Sequence, residues 1–364
     1  MSVDKQVHNT SHIGNNNGHD SLTALEIELS IIIPALREGP NLAILLPQLQ
    51  HLLQSSNIRH EVIIVTRNAD AETLEVALRW DAKVLEQEGL DYGSALTTGF
   101  RSAKGKYILT MDADLSHQPT FILDIWNRRR QAEVIIASRY VKGGTAVMPK
   151  SRFWLSRVLN QFFSRGLSIP VRDLSSGFRL YKAELVRDKD FTAHNFDILP
   201  EILVKVYSEG WQVKEVPFHY APRKHGSSNA RVFIFGLAYL RTFYALWKLR
   251  NSVLSADYDD RAFNSPIWLQ RYWQRSRYRH ITELIKGEGK VLDVGCGSSR
   301  IIGALPEASV ALDVANRKLR YARKFQKLLV VGSGFNLPFA DKSFPCVLCS
   351  QVIEHVPFDS PILD

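Results

Sequence analysis

Short, unbroken runs of branched apolar residues recur along the first 140 positions, and they constrain the fold more than any other feature. They fall at Glu28–Pro34, Glu61–Val65, Ala82–Leu85, Tyr107–Met111 and Val134–Ala137. Stretches with helical apolar spacing separate them, at 41–53, 71–80 and 92–103. A strand with one wet face alternates apolar and polar residues. Runs such as Ile31-Ile-Ile33 and Val62-Ile-Ile-Val65 do not, so both faces must be covered. Strands covered on both faces and alternating with helices predict an α/β domain built on a parallel sheet. Such sheets bind ligands at the carboxyl ends of their strands. Pro34, Val65 and the segment Asp112–Asp114 all lie at such ends, so they are expected to converge.

Asp112-Ala113-Asp114 follows the Tyr107–Met111 run directly, and Ser116-His-Gln-Pro119 ends it. Side chains two apart on an extended segment point the same way. Two carboxylates on one side of a strand end suit a hard divalent cation, which also takes phosphate oxygens. A plain acidic turn has the same composition, and the surrounding motifs have to decide between the two.

The chain of 364 residues has room for two domains. Residues 1–27, rich in Asn, His and Ser near their start, read as a solvated tail rather than a signal peptide. No apolar run reaches the roughly eighteen residues of a transmembrane helix. The three cysteines, Cys296, Cys346 and Cys349, lie late in the chain and form no secreted disulfide pattern, which points to a reducing, cytosolic compartment. Cys346-Val-Leu-Cys349 has zinc-like spacing but no second pair, so core packing is the expected role. The formal charge is +9. Between Arg223 and His280 there are eleven Lys or Arg against three Asp, so nearly the whole excess sits in one band. Such a band suits phosphates or an anionic lipid surface. No nucleic-acid reader fold accompanies it, and nucleic acid is not expected as a partner.

The ordered motifs between residues 28 and about 250 resemble family-2 glycosyltransferases of the GT-A fold, in the dolichol-phosphate mannosyltransferase branch. They are Ile31-Ile-Ile-Pro34-Ala-Leu-Arg-Glu38-Gly-Pro-Asn41, Gly93-Ser-Ala95 with Gly99, Asp112-Ala113-Asp114, Ala137-Ser-Arg139-Tyr with Gly143-Gly144, Ser175-Ser-Gly177-Phe-Arg179-Leu-Tyr181, Glu201, Glu215-Val-Pro217, and Tyr220-Ala-Pro-Arg223-Lys-His-Gly226-Ser-Ser228. The resemblance implies inverting transfer of a hexose from a nucleotide sugar, GDP-mannose or UDP-glucose, to a polyprenyl phosphate. It implies Mg2+ or Mn2+ on Asp112 and Asp114, with Arg223 completing the catalytic set. It also implies substrate contacts at Pro34, Glu38, Val65, Ala113, Arg139, Arg152, Ser156, Gly226 and Ser228. Guanidinium groups match phosphate oxygens, which suits Arg139, Arg152 and Arg223 to a diphosphate cradle. A phosphate acceptor is already anionic, so no strong general base is required.

The chain departs from that pattern in places. The paired aspartates usual after the second strand are replaced by Thr66-Arg67-Asn68-Ala69, Leu36-Arg37 stands in the first loop, Ser116 replaces a frequent Gln ligand, and Asn229 a Lys. The aromatic-rich stretch Val232–Leu249, edged by Arg241, Lys248 and Arg250, reads either as a core helix or as a helix lying on a membrane, and the lipid acceptor favours the latter. Peripheral attachment to the cytoplasmic face is therefore expected.

A second α/β pattern begins near Trp268. Val291-Leu-Asp293-Val-Gly295-Cys-Gly297-Ser-Ser299 is a strand followed by a glycine turn, and Asp313 ends the next strand. With Asn336–Phe344 and Ser350-Gln-Val-Ile-Glu354-His355, the set resembles class I S-adenosylmethionine-dependent methyltransferases. The resemblance implies cofactor contacts at Asp293, Gly295, Gly297 and Asp313. Fewer than a hundred residues remain from Trp268 onward, room for about four strands, so a partial Rossmann-like domain with an open sheet edge is expected. Ser299, Ser333 and Pro345 depart from the usual pattern.

The expected architecture is a tail (1–27), a GT-A nucleotide-diphospho-sugar transferase domain (28–230), an amphipathic helix and linker (231–265), and a partial methyltransferase-like domain (266–364). The leading function is polyprenyl-phosphate glycosyl transfer. The alternatives are methyl transfer beside an inactive glycan-binding domain, and a non-catalytic scaffold.

Overall fold

The computed structural model describes residues 26–222 and 236–355. The N-terminal tail and Arg223, Gly226 and Ser228 lie outside the described residues. The first half runs β1 (Leu29–Pro34), α1 (Gly39–Ser55), β2 (His60–Thr66), α2 (Ala71–Arg79), β3 (Lys83–Glu86), α3 (Tyr92–Ser102), β4 (Tyr107–Thr110), α4 (Phe121–Asn127) and β5 (Val134–Ser138). It continues with β6 (Thr145–Ala146), α5 (Lys150–Gly166), β7 (Arg179–Lys182), α6 (Ile198–Ser208), β8 (Val213–Pro217), β9 (His219–Tyr220) and α7 (Gly236–Arg250). Then come α8 (Tyr258–Ala262), α9 (Trp268–Leu284), β10 (Val291–Val294), α10 (Ile301–Ala304), β11 (Val310–Asp313), α11 (Asn316–Ala322), β12 (Leu328–Val331) and β13 (Cys346–Cys349).

The branched runs supply the five strands β1 to β5 of a seven-stranded sheet ordered β3-β2-β1-β4-β7-β5-β8. Alternation along β1 feeds two cores: Ile31 and Ile33 pack on one face of the sheet, Ile32 on the other. This is the physical reason that the run has no polar beat. Helix α1 closes the first face with Leu42, Leu45, Leu46, Leu49 and Leu53, all buried at helical spacing.

The sheet is mixed rather than wholly parallel. Strand β7 pairs antiparallel with both β4 and β5, while the other pairings within this sheet are parallel. Its four residues, Arg-Leu-Tyr-Lys, carry a cation at each end and read in sequence as part of a motif rather than as a central strand. Arg179 is nevertheless wholly buried, because its guanidinium donates to the carbonyls of Leu199 (2.7 Å) and Leu174 (2.6 Å). A buried cation supplied with carbonyl acceptors is tolerated where a bare one is not.

The later residues form a separate parallel sheet ordered β12-β11-β10-β13. Val291 and Ala311 pack on one face, Leu292, Val294 and Leu312 on the other. The outer strands expose Leu328, Val331 and Val347.

Residues 255–262, expected as a linker, are largely buried and join the two sheets. The Arg250 guanidinium, expected as a cationic edge of α7, is fully buried. It pairs with both oxygens of Asp257 (2.7 Å each) and donates to the carbonyls of Leu167 and Ser168. The Ala256 amide donates to the Ser208 carbonyl at 2.7 Å. Arg320 of α11 crosses to Glu209 (3.0 Å) and lies over the Trp211 ring. Gly210 admits this approach: a Cβ there would lie 2.2 Å from the Arg317 carbonyl, and its φ of +83° is left-handed.

Candidate active site

The tips of β1, β2 and β4 lie side by side. Pro34 is the register partner of Val65, the Ala35 amide donates to the Val65 carbonyl (2.9 Å), and the Met111 amide to the Ile32 carbonyl (3.1 Å). The pairing of β4 with β1 runs as far as Thr110, opposite Ile32, so Asp112 follows two residues past the paired strand. Each tip then turns through a non-glycine residue in the left-handed region: Arg37 (φ +57°), Asn68 (φ +52°) and Leu115 (φ +62°). For a leucine this conformation is costly, and such residues gather at functional sites. Asn68 takes, in the turn after β2, the left-handed backbone geometry that glycine adopts most readily. Asn is among the side chains that tolerate it best.

The two carboxylates sit just beyond β4 in different surroundings. Asp112 is partly exposed, whereas Asp114 is 5% exposed. Asp114 Oδ1 accepts from the Ser116 amide (3.1 Å) and the Ser116 hydroxyl (2.5 Å), so the residue in the position of a frequent Gln ligand instead braces the second carboxylate. His117 is buried and stacked on Phe178 at 4.8 Å between ring centroids. Its Nδ1 accepts from the Asp112 amide (2.9 Å), which leaves Nε2 to carry the proton, 3.8 Å from Asp112 Oδ2.

Gly177 brings backbone close to this corner. A Cβ on it would lie 3.0 Å from the Tyr92 hydroxyl and 3.5 Å from Asp112 Oδ1. Its carbonyl accepts from Thr110 Oγ1 at 2.7 Å. The Tyr92 phenol is held well above its ordinary pKa by burial first and by Asp112 second, so it stays a neutral hydroxyl. Tyr92 opens α3 and stacks on Phe196 at 4.6 Å. No motif marked it; α3 packs on β1 and β2, and Gly177 brings the Tyr92 hydroxyl and Asp112 to one corner.

The structure gives Arg139 a different partner from the diphosphate expected. Nε and Nη2 donate to Asp173 (2.8 and 2.7 Å), Nη2 also donates to Ser175, and the ring of Tyr220 lies 5.7 Å away. Burial alone would weaken its protonation. The Asp173 carboxylate outweighs this and holds the guanidinium above its usual value. Asp173 in turn is wholly buried, which would raise its pKa, yet Arg139 keeps it below the usual range. Glu215 organises the same corner, accepting from Ser138 Oγ (2.7 Å) and from the amides of Asp173 (2.9 Å) and Arg172 (2.8 Å). Ser175 and Glu215, members of the sequence motifs, thus act as structural partners here together with Asp173, which no motif included.

Other expected residues fall as follows. Glu38 caps the first loop by accepting from Asn41 Nδ2 (2.6 Å). Ser156 accepts from the Tyr140 hydroxyl (2.8 Å), and Arg152 is exposed one turn earlier on α5. Ala113 is buried between the two acids.

The oxygen donors at β4 fit a hard divalent cation that also takes substrate phosphate oxygens and water. Mg2+ in particular binds through one or two carboxylates in such sites. Among the described residues no group of three or more His, Cys, Asp or Glu side chains is arranged to hold a metal by itself. The zinc-like Cys346 and Cys349 instead belong to the outer strand β13.

In the second sheet the expected cofactor residues do come together. Asp313 Oδ2 accepts from the Gly297 amide (2.7 Å) and Oδ1 from the Ala315 amide (2.7 Å). Asp293, at the end of β10, is buried and its carboxyl is pushed up to about 7 by burial, with Arg277 opposing and Asp313 adding to the shift. The glycine turn does not fit a bound S-adenosylmethionine as it stands. The bare faces of Gly295 and Gly297 are covered by Val352 and Asp259.

Comparison with known proteins agrees with this division. Residues 30–188 match the Glycosyl transferase family 2, and residues 292–364 match the Methyltransferase domain family. The dolichol-phosphate mannosyltransferase of Pyrococcus furiosus is 32% identical over 247 residues, covering 62% of this chain and 66% of that protein. The low-salt glycan biosynthesis hexosyltransferase Agl6 of Haloferax volcanii is 26% identical, covering 58% and 52%, and the dolichyl-phosphate hexose transferase of the same organism is 27% identical, covering 50% and 78%. The chain thus spans just under two thirds of the first relative and about half of the second. Among solved structures, glucosyl-3-phosphoglycerate synthase of Mycobacterium tuberculosis, in complex with Mn2+, UDP and glucosyl-3-phosphoglycerate, aligns at a TM-score of 0.50. It is 14% identical and covers 61% of this chain and 80% of that one, a likeness of fold. The chain thus combines a region matching glycosyl transferase family 2, residues 30–188, with a region matching the methyltransferase domain, residues 292–364.

Proposed function

We propose that the first domain transfers a hexose, mannose or glucose, from a nucleotide sugar to a polyprenyl phosphate, with inversion at the anomeric carbon. The observation that carries this reading is the corner at the tip of β4. There Asp112 and Asp114 follow directly on β4, the neighbour of the paired strands β1 and β2, and Asp112 lies against the bare backbone of Gly177. The relatives named as dolichol-phosphate and dolichyl-phosphate transferases supply the acceptor class.

In the reaction the bond from the anomeric carbon to the diphosphate breaks, the nucleoside diphosphate leaves, and an acceptor phosphate oxygen bonds to that carbon from the opposite face. The acceptor oxygen carries no proton at neutral pH, which suits a corner where His117 Nδ1 is occupied by the Asp112 amide. Asp112 and Asp114 would hold the Mg2+ or Mn2+, whose charge eases departure of the diphosphate. Ser116 fixes the rotamer of Asp114, and the His117 plate fixes the Asp112 backbone. The loops at Arg37 and Asn68 would flank the nucleoside beside Pro34 and Val65, with Glu38 holding the first loop. The exposed apolar residues of α5 and α7 would bring the site to the membrane that holds the lipid. Among the described residues, no helix is long and apolar enough to cross a membrane.

The test is label transfer from GDP-mannose and UDP-glucose into an extractable polyprenyl phosphate, with Mn2+, by the wild type and by Asp114→Asn. We expect label from one donor and at least a hundredfold loss in the variant, on the scale of removing a principal charge-stabilising group. Equal label from both proteins would reject the role of the acidic pair. Methyl transfer as the principal activity has less support, because the second domain's glycine turn is covered.

A further inference from the structure

The turn after β10 holds two left-handed glycines, Gly295 (φ +69°) and Gly297 (φ +59°). Glycine in such a turn exposes backbone that a ligand can approach closely. Here this chain's own side chains take both exposed faces. A Cβ on Gly297 would lie 2.5 Å from Asp259 Oδ2, and one on Gly295 2.3 Å from Val352 Cγ2.

Asp259 is seated as a ligand is. Its Oδ2 accepts from the Ser298 amide (3.0 Å) and the Ser298 hydroxyl (3.2 Å), and pairs with Lys318 Nζ (3.0 Å). Three donors converge on one carboxylate oxygen, a set that suits the carboxylate of a small molecule equally well. Yet Asp259 does not come from this sheet; it lies on the short α8, between the two domains. Its neighbours are divided between them. Asp257 is held by Arg250 of the first domain, while Asp260 is held by Arg300 (2.5 Å), Tyr321 (2.6 Å) and Lys324 (2.6 Å) of the second.

We propose that Asp259 is a built-in occupant of the glycine turn, so that docking of the two domains and binding of a carboxylate-bearing nucleoside ligand at that turn exclude one another. A ligand that claimed the Ser298 amide and Lys318 would have to lift Asp259 out. Because Asp257 and Asp260 flank it within four residues, that movement strains both anchors. The second domain, with its turn filled, then serves as a clamp on the first.

The probe is S-adenosylmethionine, which carries an α-carboxylate and follows from the methyltransferase-domain match. Its affinity is measured calorimetrically on the full chain, as wild type, Asp259→Ala, Asp259→Asn and Asp260→Asn, each checked for an unchanged circular-dichroism spectrum. We expect Asp259→Ala to bind at least tenfold more tightly than the wild type. Asp259→Asn keeps the side-chain volume and covers the case in which the alanine variant does not fold; about a threefold gain is expected from it. Asp260→Asn weakens the anchor to Arg300, Tyr321 and Lys324 without uncovering the turn, so it eases the lifting of Asp259 and should bind a few fold more tightly than the wild type, but less tightly than Asp259→Ala. Hydrogen exchange of residues 255–262 in the wild type should rise as ligand is added to saturation. Equal affinities across the series, no binding by any of the proteins, or a loss of affinity in Asp259→Ala would each overturn the proposal.

Discussion

A single buried pair shows how the candidate site is held together at the residue scale. Arg139 and Asp173 satisfy each other through two hydrogen bonds while both are almost removed from water, Asp173 completely. Such a pair adds little over an apolar replacement, but breaking it strands a charge. Asp173→Ala should therefore cost about 3–5 kcal/mol in urea denaturation. Asp173→Asn, which keeps an acceptor, should cost less. A loss under about 1 kcal/mol for the alanine variant would mean that water reaches Arg139 and that the pair is not buried in solution. The sequence marked Arg139 through its Ala-Ser-Arg-Tyr context, but it did not mark Asp173, 34 positions away. What a guanidinium binds depends on which strands meet, and β7 and the loop before it bring Asp173 across. The acidic pair at 112 and 114 was legible for the opposite reason. Its placement rests on local geometry, a strand ending in a turn, which the residues encode directly.

Helices and strands were legible where burial is two-sided or periodic, and obscure where charge is buried with partners. The Ile and Val runs of β1, β2 and β5 declare themselves. Strand β7 does not, since Arg179 is buried against carbonyl acceptors that only the folded chain supplies. The expected aromatic helix begins, within the described residues, at Gly236, and its faces divide. Leu246 and Arg250 turn inward, while Leu240, Tyr244 and Trp247 are exposed at helical spacing. Helix α5 lies beside it through Phe162 and Phe243, ring centroids 4.6 Å apart, and exposes Trp154, Leu155 and Val158 with Arg152 and Arg157. Two adjoining apolar stripes edged by cations have the composition of an interfacial surface. On this reading Trp154→Glu combined with Tyr244→Glu should reduce sedimentation with phosphatidylglycerol-rich vesicles at least fivefold while leaving the thermal midpoint unchanged. Leu78→Glu, at a highly exposed position on α2 outside these two helices, should sediment as the wild type does. Equal partition of all three proteins would remove the membrane from the proposed function without touching the chemistry at β4.

Across the whole molecule, the division into two α/β units was readable from the restart of the pattern near Trp268. Their union was not. An acidic, polar segment looks like a spacer, and only its partners, Arg250 on one side and Ser298, Arg300 and Lys318 on the other, turn it into a buried seam. The second unit carries its own pH signature. Asp293 lies among Arg277, Asp313, Cys296 and Cys349, and burial raises its carboxyl from an ordinary value near 3.8 to about 7. A group with a raised folded pKa keeps its proton in the native state after the unfolded chain has lost it. Its stabilising contribution is complete below about pH 4, falls as pH rises toward 7, and is gone above that. The fall is on the order of 4 kcal/mol at most. Asp293→Asn removes the titration while keeping the shape. Thermal unfolding followed from pH 4.5 to 8 should therefore show the difference in midpoint, variant minus wild type, growing with pH until about 7 and level thereafter. A difference that stays flat across the range would mean that Asp293 is ionised throughout and that water or a cation reaches the end of β10.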